Sequence, residues 1–238
     1  MLPIERLERV LVVEAHPDDV DFGAAGIVAK LVANGVRVSY CIVTDGDAGG
    51  SDRSISRADM ATMRRAEQTA AARVLGVNDV MFLGYPDGRL QATLELRRDI
   101  SRVIRQVRPQ VVLSQSPERN LDRIFASHPD HLAAGEAALS AVYPDSRNPF
   151  AFPELLEAGL EPWTVDEVWL QGHVAPTDAI DVTDYVDLKF EALLCHDSQH
   201  PEPDSMRHRV AEWMLGTAKA FGLAEGRSAE AVRVVQTG

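Results

Sequence analysis

Residues 10–19 read VLVVEAHPDD. This stretch contains a strand pattern followed by side chains that can bind a metal. Its first six residues form a short apolar run rich in valine, which is typical of a strand buried in a parallel sheet. The run leads directly into His16, Pro17, Asp18 and Asp19, where imidazole and carboxylate groups of the kind that bind metals are gathered. The sequence therefore predicts a buried strand that delivers these side chains to the edge of a sheet.

Strand-like and helix-like patterns alternate through the first half of the chain. Apolar and β-branched runs predict strands over residues 10–15, 36–44, 79–83 and 111–114. Apolar residues at helical spacing predict helices over residues 23–34, 57–75, 93–107 and 132–142. Because such alternation produces right-handed crossovers, we expect an α/β fold with a Rossmann-like, mostly parallel sheet and helices on both faces.

The second half is less regular but still carries sheet and helix signals. It predicts a strand over residues 165–171, helices over residues 185–197 and 206–221, and a last edge strand over residues 231–235. The sequence contains no linker, low-complexity tract or block of like charges. We therefore expect a single domain over residues 1–238.

A second copy of the tripeptide lies at His128-Pro129-Asp130, after the fourth predicted strand, and His131 follows it. Ligands in parallel sheets bind in the crevice at the carboxyl ends of the strands. The first copy follows the first strand, so both copies are expected to open onto the same end of one sheet. Two separate motifs thereby become one predicted site.

This predicted site has the composition of a catalytic metal centre. A catalytic zinc usually has three protein ligands and one open position, and His16, Asp19 and His131 are the predicted ligands. Asp18 lies between two of them and is free to act as the general base on a water.

His128 and Asp130 are predicted to assist the same reaction. As an imidazolium, His128 would stabilise an oxyanion or protonate a leaving amine. Asp130 would orient that imidazole and raise its pKa, or would simply cap the helix that follows. Asp21 is expected to be a solvated acid in the first turn of a helix.

Composition excludes several classes of partner. The formal net charge of −12 argues against nucleic acid, because phosphate neutralisation needs clustered Lys and Arg.

The two cysteines suggest no disulfide framework. The first residues, MLPIERLERV, lack an apolar signal core, and no run of 18 apolar residues exists. A cytoplasmic protein without a membrane span is expected.

The two motif regions resemble a known family. The sequences AHPDDVDFGAAG and SHPDHLAAGEAAL are similar to those of the LmbE-like (PIG-L) superfamily of metal-dependent de-N-acetylases. The resemblance covers roughly residues 9–200. Supporting matches are Arg64-x-x-Glu67, the turn Gly84-Tyr85-Pro86-Asp87-Gly88, and the late pattern Lys189…Ala192-Leu193…His196…Ser198-Gln199.

The resemblance implies the same metal ligands, the same base at Asp18 and a second catalytic histidine at His128. It implies Zn²⁺ as the cofactor, with Fe²⁺ or another divalent metal as the alternative. It also implies that Arg64 contacts substrate, unless it forms a surface ion pair with Glu67 or Asp59. The resemblance also implies that Asp87 binds a sugar hydroxyl, unless its only role is in forming the Pro-Asp-Gly turn.

One position departs from the family pattern. Some members carry a Tyr two residues before the second motif to stabilise the oxyanion, and this chain has Ala126 there. His196, or a residue of a neighbouring subunit, is then expected to replace it near the substrate, unless His128 acts alone. Family members are often oligomeric, so a homo-oligomer is expected.

The implied reaction is hydrolysis of an acetyl amide on a small molecule, commonly an N-acetylglucosamine-type amino sugar or glycoside. The main alternative is an amidase acting on a mycothiol-type thiol conjugate. Two histidines and a carboxylate also suit a non-haem Fe(II) oxygenase, but such a site has no need of a free acid such as Asp18. A nucleotide-binding protein is disfavoured because the first loop lacks Gly-x-Gly-x-x-Gly and carries two acids. A non-catalytic metal- or sugar-binding protein is the remaining alternative.

Overall fold

The valine-rich run of the first motif forms a strand in a seven-stranded sheet. The computed structural model describes residues 1–238, apart from the side chain of Ala126. Its strands are β1 (Arg9–Glu14), β2 (Arg37–Thr44), β3 (Asp79–Tyr85), β4 (Val111–Gln115), β5 (Glu167–Gln171), β6 (Asp178–Asp181) and β7 (Ala229–Gln236). They lie in the order β3-β2-β1-β4-β5-β7-β6. The first five strands pair in parallel, and β7 runs antiparallel to both β5 and β6.

Helices connect the strands and cover the sheet. They are α1 (Asp19–Gly23), α2 (Ala25–Ala33), α3 (Arg57–Val74), α4 (Leu94–Val107), α5 (Pro129–Ser140), α6 (Pro153–Glu157), α7 (Val186–Leu193) and α8 (Pro203–Ala220). Short 3-10 turns lie at Ile4–Arg6, Ile124–Ala126 and Thr183–Tyr185, and a π-helical turn lies at Ala141–Asp145. None of the described helices is long and apolar enough to cross a membrane.

The interior strand β1 is buried on both faces, which explains the uninterrupted apolar sequence of residues 10–13. Val10 and Val12 pack into one core with residues of α2, α7 and α8. Leu11 and Val13 point the other way and pack into a second core with residues of α4 and α5, because successive side chains of a strand alternate between faces. The predicted α/β fold with helices on both faces is confirmed.

The prediction that residues 231–235 form an edge strand is wrong. These residues belong to β7, which pairs with β5 on one side and with β6 on the other. The edge strand is β6, which the sequence analysis missed. With only four residues and an aspartate at each end, β6 has too short a pattern to indicate a strand by itself.

The helices α1, α5 and α8 each begin earlier than predicted, and the first two of these changes involve the site. The predicted helix over residues 23–34 is divided at Ala24 into α1 and α2, so a helical turn starts at Asp19 itself. Likewise α5 starts earlier, at Pro129, which lies in the first turn of the helix. His128 is the N-cap of this helix. Proline suits this position because its fixed φ is helical and its missing N–H is not needed there. Both motifs therefore lead directly from a strand end or loop into a helix.

Candidate active site

The first motif forms a tight turn between β1 and α1. Asp18 adopts a left-handed conformation, with φ of 90°, which is uncommon for a residue other than glycine and is often found at functional sites. The turn is held from outside, since the Asp18 N–H donates a 2.7 Å hydrogen bond to Oε1 of Gln68 on α3. This conformation sends the Asp18 and Asp19 side chains in different directions.

Three side chains meet at the open side of this turn. Nδ1 of His16 lies 3.2 Å from Oδ2 of Asp19 and 3.2 Å from Nε2 of His131. Nε2 of His131 lies 3.1 Å from Oδ1 of Asp19. Tetrahedral zinc with bonds of about 2.0–2.1 Å requires ligand atoms about 3.3 Å apart. The two imidazole nitrogens and the carboxylate therefore fit a divalent metal in both chemistry and spacing.

The opposite nitrogen of His16 faces two buried carboxylates. Nε2 lies 3.0 Å from Oδ1 of Asp87 and 3.3 Å from Oδ2 of Asp130. A metal-binding histidine usually donates its second N–H to a carboxylate, which fixes its tautomer and orientation. Asp87 and Asp130 thus leave Nδ1 free to face the metal.

A cation could in principle be held instead by His16 with these two carboxylates, or by His16, His128 and His131, because both sets are compact. The carboxylate set is already engaged, however. Asp130 accepts hydrogen bonds from the backbone N–H groups of Gly88 and Leu90 at 2.7 and 3.1 Å. The Nδ1 side of His16, which has the ready-made triangle of ligand atoms, is therefore the better metal position.

The electrostatics of His16 also favour a cation. Burial by itself lowers the pKa of this imidazole, but Asp19, Asp130 and Asp87 outweigh burial and raise it to about 12. The surrounding carboxylates therefore create a strongly negative potential at this point of the fold.

Arg64 holds the Asp18 carboxylate. Its Nη2 lies 3.1 Å from Oδ2 of Asp18 and also donates to the Pro17 carbonyl, while Nη1 donates to the Gly46 carbonyl at 3.1 Å. Burial raises the pKa of Asp18 to about 6, although Arg64 acts in the opposite direction. A carboxylate with such a pKa suits proton transfer near neutral pH.

Neither ion pair that was considered as an alternative for Arg64 is formed. Glu67 instead accepts hydrogen bonds from the Ser198 backbone and hydroxyl, and Asp59 accepts from Ser56. Arg64 is buried at 4% exposure. Its observed partners are the Asp18 carboxylate and the carbonyls of Pro17 and Gly46.

His128 differs from its predicted state. The Asp130 N–H donates to Nδ1 of His128 at 3.2 Å, and the Asp130 carboxylate faces His16 rather than this ring. Burial, with the positive charges of His16 and His131, lowers the pKa of His128 below its ordinary value. Asp130 acts in the predicted direction and raises the pKa of His128, but burial and the two neighbouring histidines outweigh it, so the net change is downward. A neutral His128 whose Nδ1 accepts a hydrogen bond carries its proton on Nε2, where it can donate.

His196 and Asp21 form a buried pair beneath the site. Nε2 of His196 lies 2.8 Å from Oδ2 of Asp21, and both side chains are fully buried. Gln68 joins the pair, since its Nε2 donates to the same Asp21 oxygen at 2.9 Å. The predicted contact of His196 with substrate and the predicted solvation of Asp21 are both contradicted by this burial. The pair instead supports Gln68, which holds the Asp18 turn.

Asp87 contacts both His16 and a backbone amide. Its Oδ1 contacts His16, and its Oδ2 accepts the Ala48 N–H at 3.2 Å, so it helps to position His16, while its contact with a sugar hydroxyl stays a prediction. The side chain of Ala126, where some relatives have Tyr, lies outside the described residues. Gln68 was missed by the sequence analysis, although its position one helical turn after Arg64 places both on one face of α3.

A cavity of about 770 Å³ opens at the ligand triangle. Asp19 and His131 form part of its wall, together with Phe22, Gln115 and Gln171. The same cavity continues to the loop after β4 and to α8. Asp19 and His131, two members of the triangle, are therefore accessible to a small molecule, whereas His16, its third member, and Arg64 are buried.

Comparison with known proteins agrees with this geometry. Residues 11–142 match the PIG-L family model, described as GlcNAc-PI de-N-acetylase. The diacetylchitobiose deacetylase of Thermococcus kodakarensis is 34% identical over 200 residues, covering 84% of this chain and 73% of that protein. A probable N-acetyl-alpha-D-glucosaminyl L-malate deacetylase 2 of Bacillus anthracis is 31% identical over 201 residues, covering 80% of each chain.

A solved structure extends the likeness over nearly the whole chain. The N,N'-diacetylchitobiose deacetylase from Pyrococcus horikoshii, complexed with its inhibitor MPG, superposes with a TM-score of 0.90 at 31% identity. The match covers 98% of this chain and 86% of that one. The family match over residues 11–142, supported by these relatives, establishes that the chain belongs to the PIG-L (LmbE-like) family.

Proposed function

We propose that this protein is a sugar N-deacetylase that hydrolyses the acetyl amide of an N-acetylglucosamine-type unit. The observation that carries the proposal is the triangle of His16 Nδ1, Asp19 and His131 Nε2, with atoms 3.1–3.2 Å apart, beside the Arg64-held carboxylate of Asp18. Relatives named as deacetylases of diacetylchitobiose and of an N-acetylglucosaminyl malate support the substrate class.

His16, Asp19 and His131 would hold the metal, for which zinc is the first choice because two histidines, a carboxylate and an open position are typical of catalytic zinc. When bound, such a metal supplies Lewis acidity at the acetyl carbonyl and makes a water acidic near neutral pH. Asp87 and Asp130 keep Nδ1 of His16 directed towards the ion through their contacts with Nε2.

Proton transfer is assigned to this chain's own side chains. Asp18 accepts a proton as water adds to the amide carbon, and a carbon–oxygen bond forms. His128 donates its Nε2 proton in a hydrogen bond to the developing oxyanion. Protonated Asp18 then returns the proton to the nitrogen as the carbon–nitrogen bond breaks, which leaves acetate and a free amine.

Acetate release tests the proposal. The purified protein is assayed on N-acetylglucosamine, N,N'-diacetylchitobiose, an N-acetylglucosaminyl malate and a mycothiol-type conjugate, before and after treatment with a chelator. We expect acetate from at least one N-acetylated sugar, loss after chelation, and recovery when Zn²⁺, Fe²⁺ or Mn²⁺ is added back. The metal that restores the highest rate identifies the preferred ion.

A pair of histidine variants completes the design. His131→Ala is expected to lose both the bound metal and the activity, whereas His208→Ala, at an exposed position on α8, should keep both. A protein that carries stoichiometric zinc and releases no acetate from any of the sugars would refute the deacetylase function. Cleavage of the thiol conjugate alone would favour the amidase alternative.

A further inference from the structure

We propose that the part of the cavity between α8 and the loop after β4, here called the α8 cleft, binds a second, uncharged sugar ring of the substrate, with Trp213 as its stacking platform. This inference deepens the proposed deacetylase function and rests on it. The α8 cleft is defined by Arg209, Trp213 and Gly216 on α8 and by Arg123 and Phe125 in the loop.

Continuity with the ligand triangle is the first argument. One cavity includes both Asp19 and His131 and the residues of the α8 cleft. Its volume of about 770 Å³ lies in the upper part of the range of roughly 300–1,000 Å³ that encloses drug-sized ligands. A single N-acetylated sugar at the metal ligands would fill only part of this space, so the cavity has room for a further unit attached to it.

The exposed face of α8 supplies the second argument. Arg209, Trp213 and Gly216 recur at intervals of four and three residues, so they share one helix face. Trp213 is 43% exposed although tryptophan is the largest apolar residue type, and it lines the cavity. A pyranose ring presents a face of C–H bonds, and covering an indole with that face removes apolar surface from water.

The opposite wall completes an aromatic cleft. Phe125 is largely exposed, and the Arg123 guanidinium lies 4.9 Å from the centre of its ring. Arg209 donates one N–H to Ser205 Oγ at 2.6 Å, and its other N–H groups can donate to ring hydroxyls. Aromatic rings with neighbouring hydrogen-bond donors match a sugar, which is apolar on its faces and polar around its rim.

An uncharged ring is preferred to an anionic group for two reasons. Trp213 and Phe125 offer ring faces rather than charge, and the chain carries a net charge of −12, which repels anions at long range. The two arginines make an anionic unit the natural competitor, so the test includes one.

Two variants of α8 test the inference, and one serves as a matched control. Trp213→Ala removes the platform. Gly216→Phe is designed to narrow the α8 cleft, since Gly216 lines the cavity and no described heavy atom lies within 4 Å of the position that a Cβ would occupy there. Leu215→Ala is the control, since Leu215 lies on the same helix with a nearly equal exposure of 44% and does not line the cavity.

The kinetic readout compares one-ring and two-ring substrates. For N,N'-diacetylchitobiose we expect kcat/KM to fall at least about fivefold in Trp213→Ala and in Gly216→Phe, mainly through KM. For N-acetylglucosamine the same variants should stay within about twofold of the wild type. Leu215→Ala should leave both substrates unchanged.

Binding of uncharged N,N'-diacetylchitobiose to protein treated with a chelator, which stops turnover, provides a second readout. Trp169 is fully buried and Trp163 is half-buried, so a change in intrinsic fluorescence on binding reports mainly on exposed Trp213. We expect saturable quenching in the wild type and in Leu215→Ala, and a weaker affinity in Gly216→Phe.

Several results would overturn the inference. Equal losses on one-ring and two-ring substrates, a selective loss only for the anionic N-acetylglucosaminyl malate, or the absence of N,N'-diacetylchitobiose binding would each do so. A change of oligomeric state in Trp213→Ala with unaltered disaccharide kinetics would assign this face to a subunit contact instead. If the wild type binds N,N'-diacetylchitobiose through Trp213 but releases no acetate when a metal is supplied, the deacetylase proposal fails while the sugar site stands.

Discussion

Nη2 of Arg64 lies 3.1 Å from Oδ2 of Asp18, and the same guanidinium donates to the carbonyl of Pro17, the residue before it. One side chain from α3 thus holds both the carboxylate of the proposed base and the backbone of the turn that presents it. This arrangement explains how a residue with φ of 90° can keep a fixed orientation beside the metal ligands.

Replacing Arg64 tests this relationship. Arg64→Gln should lower kcat about tenfold to hundredfold, because a charge-assisted hydrogen bond to Asp18 worth about 1.5–3 kcal/mol is lost. The bound metal should remain, since Arg64 contacts none of the three ligand atoms. The measurements are steady-state kinetics and metal content. The adjacent Arg65→Gln is the control, because Arg65 pairs with Asp45 at the surface; equal losses in both variants would contradict the assignment.

Replacing Asp18 separates catalysis from metal binding. Asp18→Asn should keep the turn, because asparagine tolerates the left-handed conformation well. The variant should retain its metal but lose about 10²–10⁴-fold in kcat, the usual contribution of a general acid–base group. Acetate release and metal analysis provide the test, with the exposed Asp184→Asn as control. Turnover near the wild-type rate would remove Asp18 from the mechanism.

Replacing Gln68 tests the buried support of the turn. Gln68→Leu removes the acceptor of the Asp18 N–H and a donor to Asp21, so buried polar groups lose their partners. Each such group costs about 1–3 kcal/mol, and we expect a comparable fall in the free energy of unfolding in urea, together with a lower kcat. The exposed Gln106→Leu on α4 should change neither quantity. Equal stability of the two variants would show that Gln68 does not restrain the turn.

The buried His196–Asp21 pair predicts a pH-dependent stability. Burial alone lowers the pKa of His196, but its hydrogen bond with Asp21 outweighs burial and raises the pKa above the ordinary value. The folded state then holds a proton that the unfolded state releases near pH 6.5. The contribution of this pair is fully present below that pH and is lost as the pH rises through the folded-state pKa.

This contribution can be measured by urea unfolding between about pH 5.5 and about pH 9, a range that includes the ordinary pKa of histidine. The difference in unfolding free energy between the wild type and His196→Gln should shrink with pH, with a slope of at most about 1.4 kcal/mol per pH unit. His208→Gln, at an exposed ion pair, should show no such slope. If the difference in unfolding free energy between the wild type and His196→Gln grows with pH, the pKa of His196 is not raised in the folded state.

Much of the site could be predicted because its chemistry lies in two short motifs at strand ends. His16, Asp18 and Asp19 follow β1, and His131 follows β4, and parallel pairing of these strands brings both motifs to one edge. The order of elements was readable for a similar reason, since period and turn residues are local signals. The short β6 and the inner position of β7 were missed because strand pairing depends on partners distant in sequence.

The sequence alone was enough to predict the α/β alternation, which the structure confirms, and to propose a donor set for a metal with an adjacent base, because each depends on neighbouring residues. Three features needed the tertiary structure. The Asp130 carboxylate contacts His16 rather than His128, His196 pairs with Asp21 beneath the Asp18 turn, and the cavity continues to Trp213. The first two of these relationships join residues 114 and 175 positions apart, and packing rather than local pattern sets which atoms of such residues meet.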